Sequence, residues 1–238
     1  MTGRVFAIGD IHGCAGELET LLAGLQLSPG DTVICVGDYI DRGADSRGVI
    51  DLVLDLEKRP GLATVFLRGN HEDMCLAYLG CGGHYGEAWM VNGGTATLRS
   101  YALDARAPGT EARASFPAKH LEFLERLPLW HRTDGCLFVH AGIRPDRPWE
   151  QQEEEDILWI REEFILAPHS LPETIIFGHT PRRTVFVDLP YKIGIDTGCV
   201  YGGGLTGLEL HERRLYQVRF GERKVRESPL PAEQRRRA

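Results

Sequence analysis

Five short stretches of this chain set potential metal donors beside glycine, each closing an apolar run. They are Gly9-Asp10-Ile11-His12-Gly13, Gly37-Asp38-Tyr39-Ile40-Asp41-Arg42-Gly43, Arg68-Gly69-Asn70-His71-Glu72, Val139-His140-Ala141-Gly142 and Gly178-His179-Thr180. Asp, Asn and His offer the oxygen and nitrogen atoms that divalent transition metals accept, and loops just beyond strands can aim them at a common centre. Asp10 and His12 are two residues apart, so both can face one ion while Ile11 turns back to the core. Asp38 arrives from a neighbouring strand, and its carboxylate can hold two cations at once. Asn70, His140 and His179 then furnish donors for a second ion. A lone histidine at a strand end is more often a hydrogen-bonded structural residue. Several in order, joined to Asp10, Asp38 and Asn70, are hard to explain independently.

Two cations about 3.5–4 Å apart can clamp a phosphate and acidify a shared water. His71 follows Asn70 directly and so turns away from that ion, which leaves it free to give a proton to a leaving-group oxygen. Asp41 is the candidate carboxylate that would favour the His71 imidazolium. Arg42, Arg68 and Arg161 can present planar forks to phosphate oxygens. The plainer readings are that Arg42 braces its own turn and that Arg161 pairs with nearby helical glutamates. Arg144 and the Arg182-Arg183 pair read as solvated. No Gly-x-x-x-x-Gly-Lys-[Ser/Thr] loop is present, which argues against a nucleoside triphosphatase of that type.

The elements that must position these residues are legible in outline. Val5 to Ile8 and Thr32 to Val36 are strand-like, and Leu18, Leu21, Leu22 and Leu25 fall at helical spacing between them. A second helix around Val49 to Leu56 ends before Pro60-Gly61, and Ala63 to Leu67 reads as the next strand. Strands joined by helices imply a parallel sheet with ligand loops at its carboxyl edge. From about 72–130 the pattern turns helical, with helices expected at 72–79, 87–101 and 118–127. Later strand-like runs at 136–140, 174–177, 184–187, 192–195, 205–210 and 215–220 lie close together, which favours antiparallel pairing. Two face-to-face sheets with helices outside would bury both sets of strands.

At 238 residues the chain suits one domain with an insertion, expected to span 1–220 with the helical lobe at about 72–130. A net charge of −7 argues against a nucleic-acid-coating protein. The segment 221–238 reads as a basic tail whose Arg235-Arg236-Arg237 end is solvated. Six cysteines show no paired metal spacing. The start lacks the apolar stretch of a signal peptide, and no run approaches the ~20 apolar residues of a membrane span. The expectation is a reduced, cytoplasmic protein with no membrane association.

The five motifs together resemble the signature set of the phosphoprotein phosphatase family of metallophosphoesterases, the calcineurin-like phosphoesterases. Leu158-Trp159-Ile160-Arg161-Glu162 and Ile195-Asp196-Thr197-Gly198 further resemble its bacterial and bacteriophage lambda phosphatase-like serine/threonine members, and the likeness runs from about residue 4 to residue 210. The resemblance implies an α/β fold, a four-layer α/β/β/α sandwich with two mixed sheets and an inserted helical lobe. It implies a dinuclear site of two divalent ions, usually Mn2+ in bacterial members, with Fe, Zn, Ni or Co as alternatives, and direct attack by a metal-bound hydroxide. One ion would take Asp10, His12 and Asp38, and the other Asp38, Asn70, His140 and His179. His71 would be the general acid, Asp41 its partner, and Arg42, Arg68 and Arg161 the phosphate contacts.

Where eukaryotic members have Tyr-Cys-Gly, this chain has Tyr201-Gly202-Gly203, so their regulatory partners are not carried over. Tyr201 is expected to border the site. The leading expectation is a phosphomonoesterase acting on phosphoserine or phosphothreonine in proteins or peptides. The alternatives are a symmetrical dinucleoside tetraphosphatase or small-molecule phosphoesterase or cyclic phosphodiesterase and, more remotely, a phosphopeptide-binding pseudophosphatase.

Overall fold

The apolar runs ahead of the first three glycine motifs form parallel neighbours in a computed structural model that describes residues 3–232. These strands are β1 (Val5–Ile8), β2 (Thr32–Cys35) and β3 (Ala63–Phe66), with α1 (Ala15–Gly24) and α2 (Ser46–Glu57) as the crossovers. Burial on both faces explains why β1 is continuously apolar rather than alternating. Phe6 and Ile8 pack with Leu18 and Leu21 of α1 and Val49 of α2, whereas Val5 and Ala7 face the second sheet. Asp45 caps α2 by accepting the Gly48 N–H at 2.8 Å, satisfying a donor that the helix start leaves free.

After β3 the chain forms α3 (Asn70–Leu79), α4 (Gly94–Ser100), α5 (Gly109–Ser115) and α6 (Ala118–Glu125). The single helix expected at 87–101 is instead two short 3-10 turns followed by α4. The break has a cause at Gly93, whose φ of 111° only glycine adopts readily. A Cβ there would lie 2.9 Å from the Arg42 nitrogen, and the Gly93 carbonyl accepts the Arg42 N–H at 3.3 Å. The helical segment is thereby laid directly on the loop that carries Asp38 and Asp41.

The second sheet comprises β4 (Trp130–Thr133), β5 (Cys136–Val139), β6 (Thr174–Phe177), β7 (Phe186–Asp188) and β8 (Lys192–Gly194), in the order β4-β5-β6-β8-β7. The chain then returns to the first sheet as β9 (Gly204–Glu209), β10 (Arg214–Arg219) and β11 (Val225–Pro229), giving the order β11-β10-β9-β1-β2-β3. Antiparallel pairing joins β4 to β5, β7 to β8, and β9 to both β1 and β10. The pairings of β5 with β6 and of β6 with β8 are parallel, contrary to the expectation from spacing. Between β5 and β6 lie α7 (Glu154–Trp159) and α8 (Glu162–Leu166), a crossover long enough to bring the chain back in the same direction. The expected tail from 221 is corrected as well: Val225–Pro229 pairs with β10, while Arg235-Arg236-Arg237 lie outside the described residues.

Three apolar clusters define four layers. One lies between the first sheet and its helices, one between the two sheets, and one between the second sheet and α7 and α8. Among the described residues no helix is long and apolar enough to cross a membrane. The fold is an α/β sandwich of two mixed sheets, as the resemblance implies, and the loops after β1, β2, β5 and β6 meet the start of α3 at one end of it.

Candidate metal centre

His12, Asp38 and His179, which follow their strands by a few residues, have φ values of 45°, 56° and 64°. The left-handed region is uncommon outside glycine, although Asp and His tolerate it better than branched residues, and it costs on the order of 1–3 kcal/mol each. Such turns reverse the chain sharply at a strand end and swing the side chain inward. Gly37 permits the turn at Asp38 by approaching Gly69 and His140, where a Cβ would fall 2.7 Å and 2.9 Å from their nitrogens.

Six buried donors converge there: Asp10, His12, Asp38, Asn70, His140 and His179. The two Asp38 oxygens face opposite ways, Oδ2 lying 3.3 Å from His12 Nε2 and Oδ1 3.4 Å from His140 Nε2. Asn70 Oδ1 sits between two rings, 2.9 Å from His140 Nε2 and 3.0 Å from His179 Nδ1. Asp10 accepts the His179 backbone N–H at 3.0 Å, which ties the first ligand loop to the last.

Hydrogen bonding fixes what the imidazoles can offer. His12 Nδ1 is 2.9 Å from the Ile40 carbonyl and His140 Nδ1 is 2.9 Å from the Val36 carbonyl. A carbonyl only accepts, so both Nδ1 atoms carry the proton and both Nε2 atoms present lone pairs to the centre. The His140 lone pair then faces acceptors, Asn70 Oδ1 and Asp38 Oδ1. His179 Nε2 is buried without a hydrogen-bond partner. Burial pushes His12 down to about 3 and also lowers His140 and His179, which favours the neutral imidazole a metal ion would need at each.

The carboxylates point the same way. Burial, then the charges of Asp196 and Asp38, push Asp10 well above the usual carboxylate range. Burial and Asp38 likewise raise Asp196 to about 6, against the hydrogen bond from the Gly198 N–H. Burial opposes ionisation of Asp38, whereas positive charge on its histidine neighbours, His140, His71, His12 and His179, favours it, and the net direction is below that range. Facing lone pairs and crowded buried acids are destabilising by themselves and are relieved by bound cations. The donor set therefore fits two divalent ions, with Asp38 able to touch both.

His71 is buried beside this shell, its ring centroid 4.7 Å from that of His12. Its Nδ1 lies 2.6 Å from Asp41 Oδ2, and its backbone N–H donates to Asp38 Oδ1 at 3.1 Å. Burial alone would lower its pKa, but the charge of Asp38 and the bond and charge of Asp41 raise it above the ordinary histidine value.

The expected arginines do not behave alike. Arg42 Nη1 donates to His12 Nε2 at 2.9 Å, and its guanidinium lies 5.4 Å from the Tyr201 ring centre. Arg161 donates to the His179 carbonyl at 3.2 Å. These two flank the centre. The Arg68 guanidinium is instead engaged 3.5 Å from Glu154, 3.7 Å from Asp73 and 3.3 Å from the Glu125 carbonyl. Its backbone N–H is held by Pro128, so Arg68 braces α3 against the inserted helices. In this arrangement the guanidinium is turned toward those groups, unlike those of Arg42 and Arg161.

Four supporting residues escape the motif reading. Glu72 is fully buried and accepts the N–H groups of Asp38, Tyr39 and Gly69 at 2.8–2.9 Å and that of Ile40 at 3.3 Å. Trp89 Nε1 donates to Asp41 Oδ2 at 2.8 Å, and Thr97 Oγ1 donates to Asp41 Oδ1 at 2.6 Å. The Asp41 N–H donates to Ser46 Oγ at 3.0 Å. Trp89 is fully buried in the core, and its indole nitrogen also orients the catalytic candidate's partner.

A profile of the calcineurin-like phosphoesterases matches residues 3–204. The chain belongs to that family. It is 34% identical over 212 residues to serine/threonine-protein phosphatase 1 of Salmonella typhimurium, covering 85% of this chain and 90% of that protein. It is also 30% identical over 231 residues to the asymmetrical bis(5'-nucleosyl)-tetraphosphatase PrpE of Halalkalibacterium halodurans, covering 86% and 89% of the two chains. A solved structure described as a putative diadenosine tetraphosphatase superposes with a TM-score of 0.70 at 28% identity, covering 92% of this chain and 95% of that one.

Proposed function

We propose that this metallophosphoesterase hydrolyses phosphomonoesters of serine and threonine in proteins or peptides. The observation that carries the reading is the buried His71–Asp41 pair beside Asn70. An alkoxide such as that of serine is a poor leaving group and needs a proton as the P–O bond breaks, whereas a phosphate leaving from an anhydride does not. With Nδ1 directed at Asp41, His71 keeps Nε2 available for that proton. Arg42 and Arg161 neutralise phosphate oxygens from opposite sides of the ligand shell. Bound at the six ligands, two divalent ions, manganese in our proposal, would supply positive charge for the phosphate and acidify a water. The phosphatase relative supports this choice of substrate.

A second reading has its own support in the tetraphosphatase relatives: hydrolysis of a dinucleoside polyphosphate at an anhydride bond. The two readings part when metal-stripped, manganese-reloaded protein is offered a phosphothreonine peptide and diadenosine tetraphosphate at equal concentration. Faster phosphate release from the peptide is the expected result. Nucleotide formation with little peptide turnover would overturn it, with ATP plus AMP marking asymmetrical cleavage and ADP alone symmetrical cleavage.

A further inference from the structure

Beside the ligand shell, the loop after His179 and the loop carrying Tyr201 enclose two adjoining depressions of about 440 Å³ each. Arg182 and Arg183 line one end, Arg219 and Arg226 the other, with Thr197 and three successive glycines, Gly202 to Gly204, between them. Among the described residues neither depression is lined by an aspartate or glutamate. On a chain of net charge −7, four arginines around a carboxylate-free cleft are not an average piece of surface.

Tyr201 and Arg42 connect the cleft to the centre. Tyr201, 60% exposed, forms its wall and lies against Arg42, which in turn donates to His12. The Arg182 N–H donates to the Asp196 carbonyl at 3.1 Å, so the arginine pair is anchored next to the ligand loops. The opposite rim, beyond Arg161, has the reverse character. Arg144 and Arg147 are there paired with Asp156 and Glu153, while Glu162 and Glu163 lie beside Arg161. Of these two rims, the Tyr201 side is the one whose arginine-bearing depressions are not lined by carboxylates among the described residues.

The geometry points to this cleft as a subsite for a second phosphate of the substrate, carried on the same peptide as the scissile phosphoserine or phosphothreonine. This rests on the proposed phosphopeptide reading and specifies its substrate class. Arg183 and Arg219 are the cleft's principal anion contacts, because Arg226 is held by Glu222 at 2.8 Å and Arg182 lies 4.8 Å over the Phe186 ring. Arginine forks bind phosphate bidentately, and two such contacts are worth roughly tenfold or more in affinity at low salt.

The test compares a singly phosphorylated peptide with two doubly phosphorylated ones, the second phosphoserine lying on either side of the first. Each is measured as substrate and as inhibitor of p-nitrophenyl phosphate hydrolysis, for the natural protein and for Arg183→Glu/Arg219→Glu. One doubly phosphorylated peptide is expected to show KM and Ki roughly tenfold lower than the singly phosphorylated one, with kcat little changed. That advantage should vanish in the double variant and in high salt. Equal affinities, or an advantage that persists in the variant, would overturn the subsite. If peptides inhibit with this pattern but are not cleaved, the subsite stands and the protein-phosphatase reading falls. Diadenosine tetraphosphate weakened alike by the variant would then identify a polyphosphate chain as the natural source of the second phosphate.

Discussion

His71 Nδ1 and Asp41 Oδ2 are 2.6 Å apart in a pocket that leaves His71 1% and Asp41 0% exposed. The bond is held from outside as well as from within, since Trp89 and Thr97 each donate to Asp41. A histidine so fixed has one nitrogen committed to its partner and the other turned to the site. His71→Asn removes the proton donor without touching a ligand. Turnover of a phosphoserine peptide should fall by roughly 10²–10⁴-fold, and that of an activated aryl phosphate by much less. Equal losses on both substrates would remove His71 from the general-acid role.

The same pair sets a pH dependence. Asp38 and Asp41 raise the His71 pKa, so the protonated acid persists below that raised value and is lost as pH climbs through it. Asp41→Asn withdraws one charge and must lower that pKa, moving the alkaline limb of kcat to lower pH. A limb that stays in place or moves upward in a kcat profile would show that another group controls it.

Glu72 is expected to govern stability and site geometry together. Its two oxygens gather four backbone N–H groups of the Asp38 loop and the α3 start. Glu72→Gln exchanges one acceptor oxygen for an NH2 that faces donors. Denaturant unfolding should report a loss of about 2–4 kcal/mol, with a lower metal affinity in the folded variant. A loss under about 0.5 kcal/mol would mean that the loop holds its shape unaided.

Far from the site, Asp31 joins the start of β1 to β2. It is buried and accepts from the Arg4 backbone at 2.9 Å, the Arg4 guanidinium at 2.6 Å and the Ser28 N–H at 2.9 Å. Burial opposes ionisation, but these bonds, Arg4 foremost, hold its pKa below the ordinary 3.8. Its contribution is thus complete above that value and disappears as pH falls through the lowered one. With screening at the partly exposed Arg4, Asp31→Asn should cost about 1–2 kcal/mol at pH 7. The gap to the natural protein should close on acidification in a urea series. A gap unchanged at low pH would assign the effect to packing.

Much of the site could be read from the chain because its donors lie in short local motifs. Asp10, His12, Asp38, Asn70, His140 and His179 each follow a run of buried residues, and both the strand and the loop after it are visible within a few positions. The supports of Asp41 were not visible for the opposite reason. Trp89 and Thr97 reach it across 48 and 56 residues, and no local pattern links them. Glu72 did carry a signal, standing three residues after the helix-preceding Gly69, the spacing at which a glutamate reaches back to a helix start. Arg68 looked like a phosphate ligand because its motif neighbours are at the centre, yet its side chain turns to Asp73 and Glu154. In the second sheet, run spacing favoured antiparallel strands, whereas the two helices between β5 and β6 are what make that pair parallel.

A paired-cation centre in which Asp38 serves both ions is tested most directly by metal stoichiometry. Protein stripped with chelator, reloaded with manganese and dialysed should retain two ions per chain, as expected for a two-metal hydrolase. Asp38→Asn, which keeps the shape but loses the charge shared between His12 and His140, should retain at most one and lose phosphate ester turnover. Two tightly held ions in both proteins, or a single ion in the natural one, would contradict the account.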